Sequence, residues 1–99
     1  MEHLDKNNIA LIKKIFSNYL IIKLRINNEM ALETLTTTRQ EKAFIEYVDS
    51  ILDHLSLQTH QIIISIYINK LNYDQLPYSN SNFYFKRKRA VQEFLGYFL

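Results

Sequence analysis

The residues best suited to chemistry with a partner are four consecutive cations, Lys86, Arg87, Lys88 and Arg89. Ammonium and guanidinium groups attract anions, and a cluster of them on one element makes a local footprint for an anionic partner. The segment 76–99 carries these four cations and one acid, Glu93, so its net charge is four minus one, or +3, whereas the whole chain carries +2. The positive charge is therefore concentrated in the last quarter of the sequence.

A polar stretch directly precedes the cations and has the composition of a helix start. Serine and asparagine side chains accept hydrogen bonds from the free N–H groups of a first helical turn, so Ser79 or Ser81 is predicted to cap a helix here. Apolar residues then recur at helical spacing and predict the buried stripe of that helix: Phe83, Ala90, Val91, Phe94, Leu95 and Phe98.

Other kinds of chemistry lack the residues that they need. The chain has no cysteine, which excludes disulfides, thiolate catalysis and cysteine zinc sites and fits a reducing cytoplasm. His3, His54 and His60 do not have the spacing of metal ligands, and the sequence holds no glycine-rich phosphate loop or nucleophile motif. We therefore expect a protein that is not an enzyme and that needs no cofactor or metal.

The elements that must position the cations are predicted to be helices. One glycine and one proline in 99 residues are too few for sheets joined by tight turns. The length suits a single domain, 1–99, and we expect an all-α fold of four to five helices. The predicted parts are an N-terminal helix at about 8–26, a connector at 27–38, helices at 39–55 and 57–71, and a helix-turn-helix-like unit at about 57–98.

Local signals support these boundaries. Thr38 followed by Glu41 matches a capping box at the start of a helix. Ser56 is predicted to break one helix and cap the next, and Asn72 to cap a short turn that Pro77 ends. The first residues lack a basic segment followed by an apolar core, so we expect no signal peptide. The longest apolar run, 62–64, is far too short to span a membrane.

The last third of the chain resembles a known DNA-binding arrangement. A helix at 57–71 leads through 72–76 to the serine-x-serine-x-phenylalanine-tyrosine pattern of 79–84 and then to the cations. This is similar to the helix-turn-helix of region four of bacterial sigma factors, and closer still to ArpU-type transcriptional regulators of phages and mobile elements. The segments 14–19 and 51–55 are also similar to that family. One departure is that 72–79 leaves too few residues for a first helix of about two turns and the short turn that follows it. This segment also contains Pro77 and lacks the family's usual small-residue and leucine-glycine stretch.

The resemblance implies a cytoplasmic regulator that binds duplex DNA and contacts RNA polymerase. In a recognition helix, residues near the N-terminal end meet base edges, and cations around the helix meet phosphates. The implied base contacts are Asn80, Ser81, Tyr84 and Lys88. The implied phosphate contacts are Lys86, Arg87, Arg89 and Asn82.

Other interpretations of the same residues remain open. Four cations in a row are often only a solvated helix face. The apolar end, 94–99, favours a helical protein-interaction module that binds RNA polymerase or another protein without reading DNA, and it also predicts a homodimer. An RNA-binding helical domain would share the basic footprint. No membrane partner is expected, because a membrane-surface helix spreads its cations along a polar face.

Overall fold

The computed structural model describes residues 6–32, 37–72, 75–76 and 80–99. It contains four α-helices and no strand within these residues, which confirms the all-α prediction. The helices are α1 (Lys6–Leu32), α2 (Arg39–His54), α3 (Leu57–Ile63) and α4 (Asn80–Phe98). A π-helical turn, Ile64–Ile68, continues α3 without a break.

Helix α1 is longer than the sequence indicates. It spans 27 residues and runs through Asn27 and Asn28, so the prediction of a helix end at 26 and a connector from 27 was wrong. Asparagine costs only a fraction of a kcal/mol inside a helix, and the residues that follow, 29–32, are good helix formers. The domain is correspondingly elongated, with extents of 49 × 28 × 23 Å.

The predicted capping box at the start of α2 is confirmed. The Glu41 backbone N–H donates to Thr38 Oγ1 at 3.1 Å, and the Thr38 N–H donates to Glu41 Oε1 at 3.0 Å. These bonds satisfy two backbone N–H groups that the helix start would leave free. The hydrogen bonds from Thr38 and Arg25 lower the pKa of the Glu41 carboxyl.

The third helix begins after Ser56 as predicted but does not stay α-helical to 71. From Ile64 its hydrogen bonds widen, and the Asn69 N–H donates to the Ile64 carbonyl at 2.8 Å. The turn ends at Lys70, whose φ of 58° lies in the left-handed region. A non-glycine residue there stops the helix, because a left-handed residue cannot continue a right-handed ladder.

One core joins all four helices. Rings from three elements meet at its centre, where Phe16 of α1 lies 5.7 Å from Tyr67 of the π turn and 5.0 Å from Phe94 of α4, measured between ring centroids. The largest fully buried side chains are Phe16, Phe94, Ile12, Ile63, Val48 and Val91. Burying a side chain of this kind stabilises a fold by about 1.5 to 3 kcal/mol. The core therefore holds α4 against the other three helices.

Two hydrogen bonds between side chains link α1 to α2. The Tyr19 hydroxyl donates to Asp49 Oδ1 at 2.5 Å, and Arg25 Nη1 donates to Glu41 Oε2 at 2.6 Å. Burial, then the hydrogen bond and the charge of Asp49, raise the pKa of the Tyr19 hydroxyl. Together the two contacts fix how α1 and α2 lie against each other along their length.

Candidate nucleic-acid interface

Helix α4 is anchored by its second half only. Ala90 is fully buried, and Val91, Phe94 and Leu95 are buried behind it. All of the side chains from Asn82 to Arg89 are exposed or half-buried. The predicted apolar stripe is therefore confirmed from Ala90 onward, and Phe83 is half-buried. The first half of α4, called the projecting half below, is therefore less buried than the second half, which lies in the core.

The predicted site residues lie on this projecting half. Asn82, Tyr84 and Arg89 are exposed, and Lys86, Arg87 and Lys88 are half-buried. Asn80 and Ser81 form the first turn of α4, and their side chains lie outside the described residues. Because α4 begins at Asn80, Ser81 is inside the helix and is not its cap. The other predicted cap, Ser79, lies outside the described residues.

Helical periodicity sorts the cations onto different faces. Asn82, Lys86 and Arg89 are spaced four and three residues apart, so they lie on one face of α4. Tyr84 and Lys88 are four residues apart and lie on another. The structure thus brings three of the four predicted phosphate contacts together and separates them from two of the predicted base contacts.

Arg87, the remaining predicted phosphate contact, lies against the π turn. Its guanidinium carbon is 6.0 Å from the centre of the Tyr67 ring, and Nη2 donates to Tyr67 Oη at 3.4 Å. Its Nε is buried and has no hydrogen-bond partner among the described residues. Cation–π contact and stem packing therefore hold this arginine beside the core.

A polar cavity of about 240 Å³ opens between the start of α3 and the middle of α4. It holds two of the four cations, Lys86 and Arg89, beside the N-terminal residues of α3. Its lining residues are Ser56, Gln58, Thr59, Lys86, Arg89, Gln92 and Glu93. The cavity extends the polar face of α4 onto a second helix.

Glu93 joins the two helices at this cavity. Its Oε2 accepts the Ser56 backbone N–H at 2.7 Å, and its Oε1 accepts the hydroxyls of Ser56 at 3.0 Å and Thr59 at 2.9 Å. Partial burial acts to raise the pKa of the Glu93 carboxyl, but these hydrogen bonds and the nearby Arg89 outweigh it and lower the pKa. Ser56 thus occupies the N-cap position of α3 as predicted, but its side chain makes no capping hydrogen bond to that helix and donates to Glu93 instead.

The role of Glu93 is not predicted from the sequence because no local pattern indicates it. Ser56 and Glu93 are 37 residues apart, and only the packing of α3 on α4 brings them together. The only available sequence signal was that Glu93 is the one acid in a basic segment.

The connection between α3 and α4 is longer than the turn of a standard helix-turn-helix. The residues from 69 to 79 separate the π turn from α4, where a turn of three to four residues is usual. Within this connection the Gln75 N–H donates to the Asn72 carbonyl at 3.0 Å. Helix α3 packs directly on α4.

The end of α4 exposes aromatic and aliphatic side chains. Tyr97 is 50% exposed and Leu99 is 84% exposed, while Phe94 and Leu95 of the same predicted stretch are buried. The Tyr47 hydroxyl donates to the carbonyls of Tyr97 at 3.1 Å and Phe98 at 2.7 Å. This bond satisfies free carbonyls at the helix end. Within the part of the chain that is described, no helix is long and apolar enough to cross a membrane.

The fold and the site define a small all-α domain with one projecting basic helix. A protein of Mycoplasma pneumoniae, "Uncharacterized protein MG284 homolog", is 30% identical over 96 residues, which cover 96% of this chain and 79% of that protein. The chain belongs to the same family as this mycoplasma protein. No protein-family model matches the chain, and no solved structure matches it.

Proposed function

We propose that this protein is a noncatalytic transcriptional regulator that binds duplex DNA through the first half of α4. The observation that carries the proposal is the difference in burial and charge between the two halves of that helix. From Ala90 onward its apolar side is buried in the core, and from Asn82 to Arg89 it has four cations, no acid and no fully buried side chain. The resemblance of the segment at about 67–90 to sigma region four and to ArpU-type regulators adds support.

The dimensions of the projecting half suit a groove of DNA. An α-helix with its side chains is about 10 to 12 Å in diameter. The major groove of B-DNA is about 12 Å wide and admits an α-helix. A helix held rigidly at one end can enter the groove without losing much conformational freedom on binding.

The resemblance assigns a different kind of contact to each of the two faces of the projecting half. Asn82, Lys86 and Arg89 would contact phosphates, which set affinity and salt dependence. Tyr84 and Lys88, with Asn80 and Ser81 in the first turn, would meet base edges. Arg87 would act mainly through Tyr67, by keeping the projecting half aligned with the core. The sigma-like resemblance makes RNA polymerase the expected protein partner.

Fluorescence anisotropy with a labelled duplex of mixed sequence tests this proposal. Duplex DNA should bind with an affinity that falls steeply as salt rises from about 50 to about 200 mM, because counterions are released from the phosphates. Single-stranded DNA and duplex RNA of equal length should bind more weakly. A protein that ignores duplex DNA at the lowest salt would contradict the proposal, and a preference for duplex RNA would favour the RNA-binding interpretation.

A second candidate function is a protein-interaction module, favoured by the exposed Tyr97 and Leu99 at the end of α4. Such a module would copurify with RNA polymerase without binding DNA, and Tyr97→Ser would abolish that copurification. In the DNA-binding proposal the same variant leaves affinity for duplex DNA within about twofold, because Tyr97 lies at the opposite end of α4 from the basic residues.

A further inference from the structure

We infer that the polar cavity between α3 and α4 binds one phosphodiester group of the duplex, so that α3 contacts the DNA backbone together with α4. This inference rests on the proposed function and adds a contact that the sequence does not indicate. The cavity measures about 240 Å³ and combines two cations with the exposed amides of Gln58 and Gln92. Amide and cationic donors at one site match the acceptor oxygens of a phosphodiester.

The cavity lies beside the face of α4 that carries three of the proposed phosphate contacts. Lys86 and Arg89 line the cavity, and Asn82 lies on the same face one turn earlier. A DNA strand that follows this face reaches the cavity after Asn82. Phosphates along one strand would then meet Asn82, Lys86 and Arg89 before they pass the start of α3.

The acid in the cavity does not prevent anion binding. Both oxygens of Glu93 accept hydrogen bonds from α3 and its preceding residue, Ser56, so the carboxylate is directed toward that helix start. Two cations and one carboxylate leave the lining with a net charge of two minus one, or +1. The cavity therefore presents cationic and amide side chains to a ligand.

The contact from α3 gives a specific test at Gln58, which is exposed and lies in the first turn of that helix. Gln58→Lys places a cation beside the bound phosphate and should raise affinity for duplex DNA several-fold. It should also steepen the plot of log affinity against log salt by about 0.9, the increment for one more phosphate contact. Gln58→Glu should lower affinity by a similar factor.

The matched controls are Gln40→Lys and Gln40→Glu, which make the same charge changes at an exposed position near the start of α2. Each should leave affinity within about twofold of wild type, because Gln40 lies on α2 and does not line the cavity. If the substitutions acted only through helix stability, Gln58→Glu would raise the affinity and Gln58→Lys would lower it, which is the opposite of the expected result. The reason is that an acid in a first helical turn stabilises the helix and a lysine there destabilises it.

If the Lys and Glu substitutions change affinity for duplex DNA equally at Gln58 and at Gln40, the inference is overturned, while DNA binding by α4 still stands. Failure of the wild-type protein to bind duplex DNA would overturn the proposed function itself, so the two failures are distinguishable. A third experiment measures the melting temperature of the protein with inorganic phosphate and without DNA. A rise in melting temperature that disappears in Gln58→Glu would assign the cavity to free phosphate, and no rise is expected if the ligand is the DNA backbone.

Discussion

Arg87 lies over the ring of Tyr67, with its guanidinium carbon 6.0 Å from the ring centre. Tyr67 stacks in turn against Phe16 in the core. A chain of contacts thus runs from the core, through the π turn, to the projecting half of α4. One of the four consecutive cations therefore supports the helix that the other three would use to bind a partner.

Arg87 should contribute to stability through its packing. We expect Arg87→Ala to lower the free energy of unfolding by about 1 kcal/mol, because the side-chain stem and the cation–π contact are both lost. Arg87→Met should cost less, since it keeps an apolar stem and removes the unpaired Nε. Urea unfolding measures both, with Lys42→Ala on the exposed surface of α2 as the control. Equal costs for Arg87→Ala and Lys42→Ala would contradict this role.

Glu93 should stabilise the protein in a pH-dependent way. Its pKa is lowered in the folded state, so its contribution is complete above the ordinary value of 4.5 and is lost as pH falls through the folded-state pKa. Glu93→Gln should lower the free energy of unfolding by about 1 kcal/mol at neutral pH, a cost typical of a lost helix cap. The difference from wild type should shrink in acid. Urea unfolding at neutral and acid pH measures it, and a constant difference would contradict the role of the carboxylate.

Tyr19 should show the opposite pH dependence. Burial, followed by the hydrogen bond and charge of Asp49, raises the pKa of this hydroxyl above its ordinary value of 10.0. Tyr19→Phe should cost about 1 to 2 kcal/mol at neutral pH, because the hydrogen bond to a carboxylate is lost. The stabilisation is complete below pH 10.0 and falls as pH rises toward the folded-state pKa. Unfolding measured in alkali should therefore show wild type approaching the variant; a gap that widens would contradict the account.

Local signals in the sequence were sufficient for much of the fold. The scarcity of glycine and proline indicated helices, Thr38 and Glu41 located the start of α2, and the apolar spacing from Ala90 onward identified the buried side of α4. Each of these depends on residues within a few positions of one another, which is the range over which propensity and capping act.

The missed features depend on contacts between distant residues or on weak preferences. The Glu93 bonds to Ser56 and the Arg87 contact with Tyr67 exist only once α3 and its π turn pack on α4. The continuation of α1 through Asn27 and Asn28 reverses a preference of only a fraction of a kcal/mol, which the flanking helix easily outweighs. For the candidate site, sequence identified the basic helix, and packing decided which way its cations face.

Tyr84 should affect which DNA sequences are bound. Its side chain is 38% exposed on the face that it shares with Lys88, away from Lys86 and Arg89. Tyr84→Ala should change the sequences enriched from a random duplex library while leaving the salt dependence unchanged, because base contacts specify and phosphate contacts set affinity. The control is Tyr97→Ala at the other end of α4, which should enrich the same sequences as wild type. Identical enrichment by Tyr84→Ala and wild type would contradict the base-contact role.

The central claim is that the projecting face of α4 binds DNA phosphates, and one comparison of charge-matched variants tests it most directly. Lys86→Gln with Arg89→Gln removes two cations from that face, and Lys42→Gln with Arg39→Gln removes the same two residue types from the exposed start of α2. In anisotropy titrations of duplex DNA, the α4 variant should lose at least about tenfold in affinity at low salt. Its salt slope should fall by roughly two, while the α2 variant stays within about twofold of wild type. Equal losses in the two variants, or no loss in the α4 variant, would contradict the claim.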